Sequence, residues 1–231
     1  MSTELFPKRH GDPTVGEIYE RIYVAVLEHR LRPGTKLVEE RLAEIFGVSR
    51  PRIREVIAQL AHEQIVELYP QRGAFIAKPS IEKASAVLEA RRVIEPALIR
   101  RLIAHLTPEK LNGLRQHAVL EQAARERRDK RAIVRLAGEF HILLSELAGN
   151  SELARTMREL STLTCLVIFL YDVPTAVSCR HDEHSCIIDA IAKGDTELAQ
   201  RLMLEHLDHI EQSLRLEPDE ADIDLREVFS T

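Results

Sequence analysis

Apolar positions along this chain recur mostly at helical spacing. In VGEIYERIYVAVLEHR (15–30), Ile18, Ile22, Val26 and Leu27 fall on one stripe, and Pro33 and Gly34 then punctuate the chain. VEERLAEIFG (38–47) reads as a short amphipathic helix closed by Gly47 as its C-cap. Ser49 follows as an N-cap, with Pro51 in the first turn, where a missing N–H costs little. Residues 38–60 therefore predict helix, tight turn, helix. IVELYPQRGAFIAK (65–78) breaks the pattern: β-branched and aromatic residues flank PQRG, which predicts a two-stranded hairpin. From Ser80 on, the helical period holds over 81–105, 108–126, 129–147, 151–170, 181–193 and 195–215. The joints LTPEK, ERRDK, AGNSE, YDVPT and KGDTE are short, which predicts an antiparallel bundle.

The expected fold is mainly α. Residues 1–79 form a winged helix-turn-helix with a small β-hairpin, residues 80–216 an all-helical antiparallel bundle, and residues 217–231 an acidic tail. At 231 residues and 45% hydrophobic content, the chain can bury a core in each of two units. Aromatic residues make up only 4% and Trp is absent, which argues against base- or sugar-stacking platforms. Three cysteines with no framework spacing, Cys165, Cys179 and Cys186, predict reduced thiols and a cytoplasmic protein. The N-terminus has no apolar signal region, and the longest apolar run, CLVIFLY (165–171), is too short for a membrane span.

The net charge of −5 is unevenly distributed. Residues 1–80 carry 12 basic and 11 acidic side chains, net +1, and the remainder is net −6. Within the basic part, FGVSRPRIREVIAQL (46–60) gathers Arg50, Arg52 and Arg54 near the start of a helix. Arg50 and Arg54 lie four apart on one face, and Ile53, Val56, Ile57 and Leu60 mark the buried one. A helix N-terminus presents free N–H groups and a positive dipole end to phosphate, and Arg in the major groove reads guanine O6/N7. An isolated Arg-rich helix would be read as a solvated face. The combination with a capped turn and Arg72-Gly73 at a hairpin tip points to double-stranded DNA.

RPGTKLVEERLAEIFGVSRPRIREVIAQLAHEQIVELYPQRGAFI resembles the DNA-binding domain of GntR-type bacterial transcription regulators, with the match running over about residues 15–78. The resemblance implies that Arg41, Arg50, Arg54, Arg72 and Gly73 contact DNA, with Ser49 and the additional Arg52 beside them. The order Pro51-Arg52 departs from the family, which places a small residue before the proline, and EQI at 63–65 replaces its usual eGL. These departures bear on operator sequence rather than on the mode of binding.

Three histidines stand in amphipathic segments of the helical part: His141 in GEFHILLSELAGN, His184 in DEHSCIIDAIAKGD and His206 in AQRLMLEHLDHIEQSL. A single histidine on an apolar face is most often a satisfied core residue. Three from different helices converging in a bundle would suit Zn²⁺ or Ni²⁺. Residues 81–215 resemble the FCD effector domain of the FadR branch of GntR regulators, through EARRVIEPALIRRLIA and the three histidine segments. That domain typically holds a divalent metal by three histidines and an aspartate, beside a small carboxylate effector. His141, His184 and His206 fall on the histidine positions, whereas Ala137 stands where the aspartate is usual. Arg91, four residues before Glu95, falls on a carboxylate-recognising position; its bland reading is an i,i+4 salt bridge. Asn150 reads as a helix-joint residue, and Cys179 and Cys186 around RHDEHS match no closed zinc site.

The expected function is a homodimeric, DNA-binding transcription regulator, a repressor, whose operator affinity responds to a small organic acid. The alternatives are a metal-responsive sensor and a metal-dependent enzyme. HExxH is absent, and Glu139 and Glu183 neighbour histidines without an evident directed role.

Overall fold

The computed structural model describes residues 12–172 and 182–216. Helix α1 (Val15–Leu27) starts at a capping box: Thr14 Oγ1 accepts from the Glu17 N–H at 3.2 Å, and Glu17 returns the bond to the Thr14 N–H at 2.8 Å. Its buried stripe is the expected one, but the helix ends three residues early. His29 turns into left-handed backbone (φ 56°), its Nε2 lies 3.0 Å from the Cys165 carbonyl oxygen, and its ring meets Phe169 edge-on at 4.8 Å. Tertiary contacts, not Pro33 and Gly34, end the helix.

Strand β1 (Lys36–Leu37) leads into α2 (Glu39–Phe46), which closes at Gly47 with φ 67°, a conformation glycine adopts at no steric cost. Helix α3 (Arg50–His62) follows, then strands β2 (Val66–Tyr69) and β3 (Gly73–Ile76). The sheet is antiparallel in the order β1-β3-β2, with Tyr69 opposite Gly73 at the hairpin and Lys36 opposite Phe75. The expected two-stranded hairpin is therefore three-stranded. The added strand is two residues long and is defined by pairing to a partner about forty residues away, so no local period marks it. Ser49 occupies the N-cap with extended backbone, yet its side chain makes no capping bond. Pro51 has no N–H to offer, and the Arg52 N–H goes to the Ser49 carbonyl at 3.1 Å. Ile53, Val56, Ile57 and Leu60 pack with Ile18, Ile22 and Val26 of α1 into one core.

The rest of the described residues form helices: α4 (Ile81–Ala104), α5 (Pro108–Glu126), α6 (Lys130–Leu147), α7 (Ser151–Tyr171), α8 (Glu183–Ala192) and α9 (Thr196–Ser213). The predicted boundaries hold to within two residues because side chains mark them. Ser80, Thr107, Asp129, Asn150 and Asp195 each cap a helix by accepting backbone N–H bonds. Asn150 is thus the joint residue expected. Helix α4 packs on α6, α7 and α9, while α8 packs on α5 and α9. Leu98, Ile99, Leu102, Phe140, Leu144, Met157 and Ile187 fill the interior. Each such side chain, fully buried, contributes about 1.5–3 kcal/mol. Gly138 lets α6 approach α7, since a Cβ there would lie 2.9 Å from Cys165 Sγ. Cys179, His181 and the acidic segment 217–231 lie outside the described residues.

Candidate metal centre and nucleic-acid interface

Arg50 and Arg54 of α3 share one exposed surface with Glu39 of α2. Arg54 Nε lies 2.7 Å and Arg50 Nη2 3.6 Å from the same Glu39 oxygen on α2. Arg52 points to the other edge, near Asp12 (3.8 Å) and the Pro13 carbonyl oxygen (3.3 Å). All three side chains are more than one-third exposed, so these pairs are solvent-screened and exchangeable for phosphate or base contacts. Arg41 is exposed on α2, and Ser49 is exposed at the head of α3. At the hairpin tip, the Arg72 guanidinium lies over the rings of Tyr69 (5.4 Å) and Phe75 (5.8 Å). Gly73 carries φ 98°, so a side chain there would be strained. Helix α3 and the β2–β3 hairpin thus both present cations to solvent.

The three histidines converge. His141 Nε2 and His206 Nε2 are 3.2 Å apart, and His184 Nε2 is 3.4 Å from His206 Nε2. All three residues are at most 3% exposed. Their Nδ1 atoms point outward, each to a carboxylate: His141 to Glu95 on α4 (2.6 Å), His184 to Glu121 on α5 (2.9 Å), His206 to Glu183 on α8 (2.6 Å). Glu183 also accepts from His209 at 2.6 Å, and Glu121 lies 3.3 Å from His117 Nε2. Phe140 stacks on His184 with centroids 4.0 Å apart. Glu183 therefore has a directed role, contrary to the sequence reading. Glu95 and Glu121, unremarked as metal-site residues there, orient the other two rings.

Electrostatics decides the protonation of this cluster. Burial pushes the His141 imidazole down to about 3 and the His206 imidazole down to about 4. Burial alone would raise the Glu95 carboxyl, but the Arg91 guanidinium and His141 outweigh it and hold it at about 2. Burial opposes in the same way at Glu121, where His117 and His184 hold the carboxyl at about 2. Neutral imidazoles at His141 and His206, each donating Nδ1–H to an ionised carboxylate, leave their Nε2 lone pairs facing each other, with His184 Nε2 beside them. A cation between them would relieve the repulsion of the facing lone pairs. Metal–imidazole bonds of about 2.0–2.1 Å in a tetrahedral shell place ligand atoms about 3.3–3.4 Å apart, close to the two spacings that involve His206. The residues fit a divalent metal, and the paired carboxylates fix each ring for it.

Arg91 takes both readings at once. Its Nε donates to Glu95 at 2.6 Å, the i,i+4 pair, and its Nη1 donates to Thr164 Oγ1 at 3.0 Å. Its Nη2 is buried and has no hydrogen-bond partner among the described residues. Arg91, His141 and His206 border a cavity of about 760 Å³, and Ala137 lines it one helical turn before His141. Glu28 and His29, at the end of α1, form part of the same wall.

Residues 14–76 match the model of the bacterial regulatory proteins of the gntR family, and residues 86–209 match the FCD domain. The chain belongs to the GntR family, with an FCD domain. It is 27% identical over 216 residues to the HTH-type transcriptional repressor RspR of Escherichia coli, covering 93% of each chain. It is 28% identical over 208 residues to the HTH-type transcriptional regulator LutR of Bacillus subtilis, covering 80% of this chain and 93% of that one. The solved structure of E. coli McbR/YncC matches with a TM-score of 0.74 and 17% identity over 86% of this chain and 95% of that one, a likeness of fold. This GntR protein is a DNA-binding transcriptional regulator, not an enzyme, and the metalloenzyme alternative falls. Among the described residues, no helix is long and apolar enough to cross a membrane.

Proposed function

We propose that this regulator is a cytoplasmic homodimeric repressor whose operator affinity is set by a small organic acid bound beside a divalent metal. Residues 1–79 read DNA and residues 80–216 bind the effector and the second copy. One observation carries the effector reading: His141 and His206 of the histidine cluster and the Arg91 side chain border one cavity. His141, His184 and His206 would hold Zn²⁺ or Ni²⁺, which would supply a positive centre for an acid's oxygens. Arg91 would bind the carboxylate by charge-assisted hydrogen bonds. Arg41, Ser49, Arg50, Arg52, Arg54, Arg72 and Gly73 would form the DNA-contacting surface, one per subunit on a pseudopalindromic operator.

The wall made by Glu28 and His29 gives a physical route for coupling. A ligand that fills the cavity touches the end of α1, and α1 packs on α3. A shift of the two DNA-reading heads requires a differential affinity, typically about 1–3 kcal/mol. RspR is named a repressor, which supports that sign of regulation here.

Native mass spectrometry of protein purified without chelator tests this reading. The expected species is a dimer with one transition-metal ion per chain and a small acid. A monomer, or a chain that stays empty after Zn²⁺ and Ni²⁺ are added, refutes it. The second reading, metal as the signal itself, is favoured by one fact: the three histidine–carboxylate pairs are complete without any organic group. It predicts operator affinity that follows metal alone.

A further inference from the structure

The third strand of the sheet brings a lysine to the tip of the hairpin. Lys36 on β1 pairs with Phe75 on β3, Phe75 pairs with Glu67 on β2, and Tyr69 faces Gly73 at the hairpin end. Paired residues point to the same side of a sheet, so these five share one side. Leu37, Ala74, Val66 and Ile76 take the other side and are buried. Lys36 is exposed, and its side chain runs toward the tip: a Cβ built on Gly73 would lie 3.6 Å from Lys36 Cε. The lysine stem therefore lies against Gly73, next to Arg72.

The charges on this side are placed unlike those of α3. Arg50 and Arg54 lie near Glu39, and Arg52 lies near Asp12. Lys36 Nζ instead lies over the Phe75 ring, 5.8 Å from its centroid. The Arg72 guanidinium lies over the same ring at 5.8 Å and over Tyr69 at 5.4 Å. Tyr69 and Phe75 meet edge-on at 5.5 Å, and the acid of this side, Glu67, accepts from the Tyr69 hydroxyl. Among the described residues, neither Lys36 nor Arg72 has a carboxylate partner. Ring contacts orient a cation without neutralising it. Two cations in that state, at an exposed tip in the part of an acidic chain that carries its positive excess, match the chemistry of a phosphodiester backbone.

We propose that Lys36 is a DNA-backbone-binding residue: with Arg72 it clamps phosphate at the hairpin tip, and Tyr69 and Phe75 position both cations. The inference rests on the reading that the hairpin tip faces DNA. Lysine acts there as a point charge with three donors, so the contact adds affinity without reading sequence. Lys36 belongs neither to the two helices α2 and α3 nor to the hairpin; the two-residue β1 alone brings it to the tip.

The test measures binding of the full chain to a duplex selected from a random pool, and to a scrambled duplex, between about 50 and 200 mM salt. Lys36→Gln is expected to bind both duplexes about tenfold more weakly, with the log–log salt slope smaller by about one. Lys36→Arg keeps the charge and is expected to retain wild-type affinity and slope. Lys193→Gln removes an exposed lysine of the helical domain and is expected to match the wild type, which controls for net charge. Wild-type binding by Lys36→Gln overturns the proposal. So does a loss with unchanged slope, a loss confined to the selected duplex, or an equal loss in Lys193→Gln. Lys36→Gln is expected to melt within about 4 °C of wild type, as an exposed site should; a larger fall would assign Lys36 to the sheet's stability and also overturn the proposal. Arg50→Ala in the same series separates the two readings. If it weakens binding and Lys36→Gln does not, the lysine contact alone fails. If neither does, the DNA-facing surface fails with it.

Discussion

Glu95→Gln removes one negative charge while keeping the shape of the side chain. Glu95 is fully buried; its Oε1 accepts from Arg91 Nε at 2.6 Å and its Oε2 from His141 Nδ1 at 2.6 Å. A carboxamide offers an acceptor at only one of those two positions. Whichever way it turns, its NH₂ faces a donor on Arg91 or on His141, and Arg91 becomes a buried cation without its counter-charge. Removing one partner of a buried ion pair costs about 3–5 kcal/mol. In a protein of this size ~1 kcal/mol moves the melting temperature by about 2–4 °C, so a fall of about 6–20 °C is expected. His141 also loses the acceptor that aims its Nε2 inward, which lowers metal affinity by about 10–100-fold. Glu183→Gln separates the two effects. Glu183 accepts from His206 and His209 at 2.6 Å each but is partly exposed, and among the described residues no arginine pairs with it. It is expected to lose metal affinity by a similar factor while melting within a few degrees of wild type. Thermal melts of chelator-stripped protein and Zn²⁺ titrations read both quantities. A Glu95→Gln variant melting within about 2 °C of wild type would refute the ionised pair. Unchanged Zn²⁺ affinity in both variants would refute the orienting role of the carboxylates.

Three further outcomes follow from the same geometry. Arg50→Ala and Arg54→Ala, both at exposed sites, should keep the wild-type melting temperature. Each should weaken binding to DNA selected from a random pool by about 1–3 kcal/mol if the contact is to a base, or flatten the salt dependence by about one ion if it is to a phosphate; wild-type binding by both variants would refute the docking face. His184→Ala should abolish Zn²⁺ uptake while ligand-free DNA affinity stays within twofold of wild type, checked by titration and gel shift. Retained stoichiometric Zn²⁺ would place the metal elsewhere. On acidification, His141 and His206 stay neutral in the folded chain below their ordinary value of 6.5, down to about 3 and 4, while the unfolded chain takes up protons. Stability is therefore fully present above about pH 6.5 and is lost as pH falls toward 4. Glu95 and Glu121, held at about 2 against an ordinary 4.5, add a further loss below about pH 4.5. Melts of chelator-stripped protein across pH 8 to 4 check this, and rising stability on acidification would refute the buried neutral imidazoles.

What the sequence determined by itself is local. Helix stripes such as Ile18-Ile22-Val26, caps such as Ser80, Thr107 and Asn150, and the turn at Gly47 are set by residues within a turn or two of one another. They were legible for that reason. The arginines of α3 were legible too, since one helix start places them on its own surface. His141, His184 and His206 were found through resemblance; their spacing alone favoured a satisfied core reading over a metal. Only the tertiary structure decided what that cluster is. Glu95 lies 46 residues from His141, Glu121 lies 63 from His184, and Glu183 lies 23 from His206, so no period links a ring to the carboxylate that aims it. The early end of α1 at His29 and the two-residue strand β1 are of the same kind. Each depends on which partner packing brings near or leaves out, a relation between distant segments that local patterning does not encode.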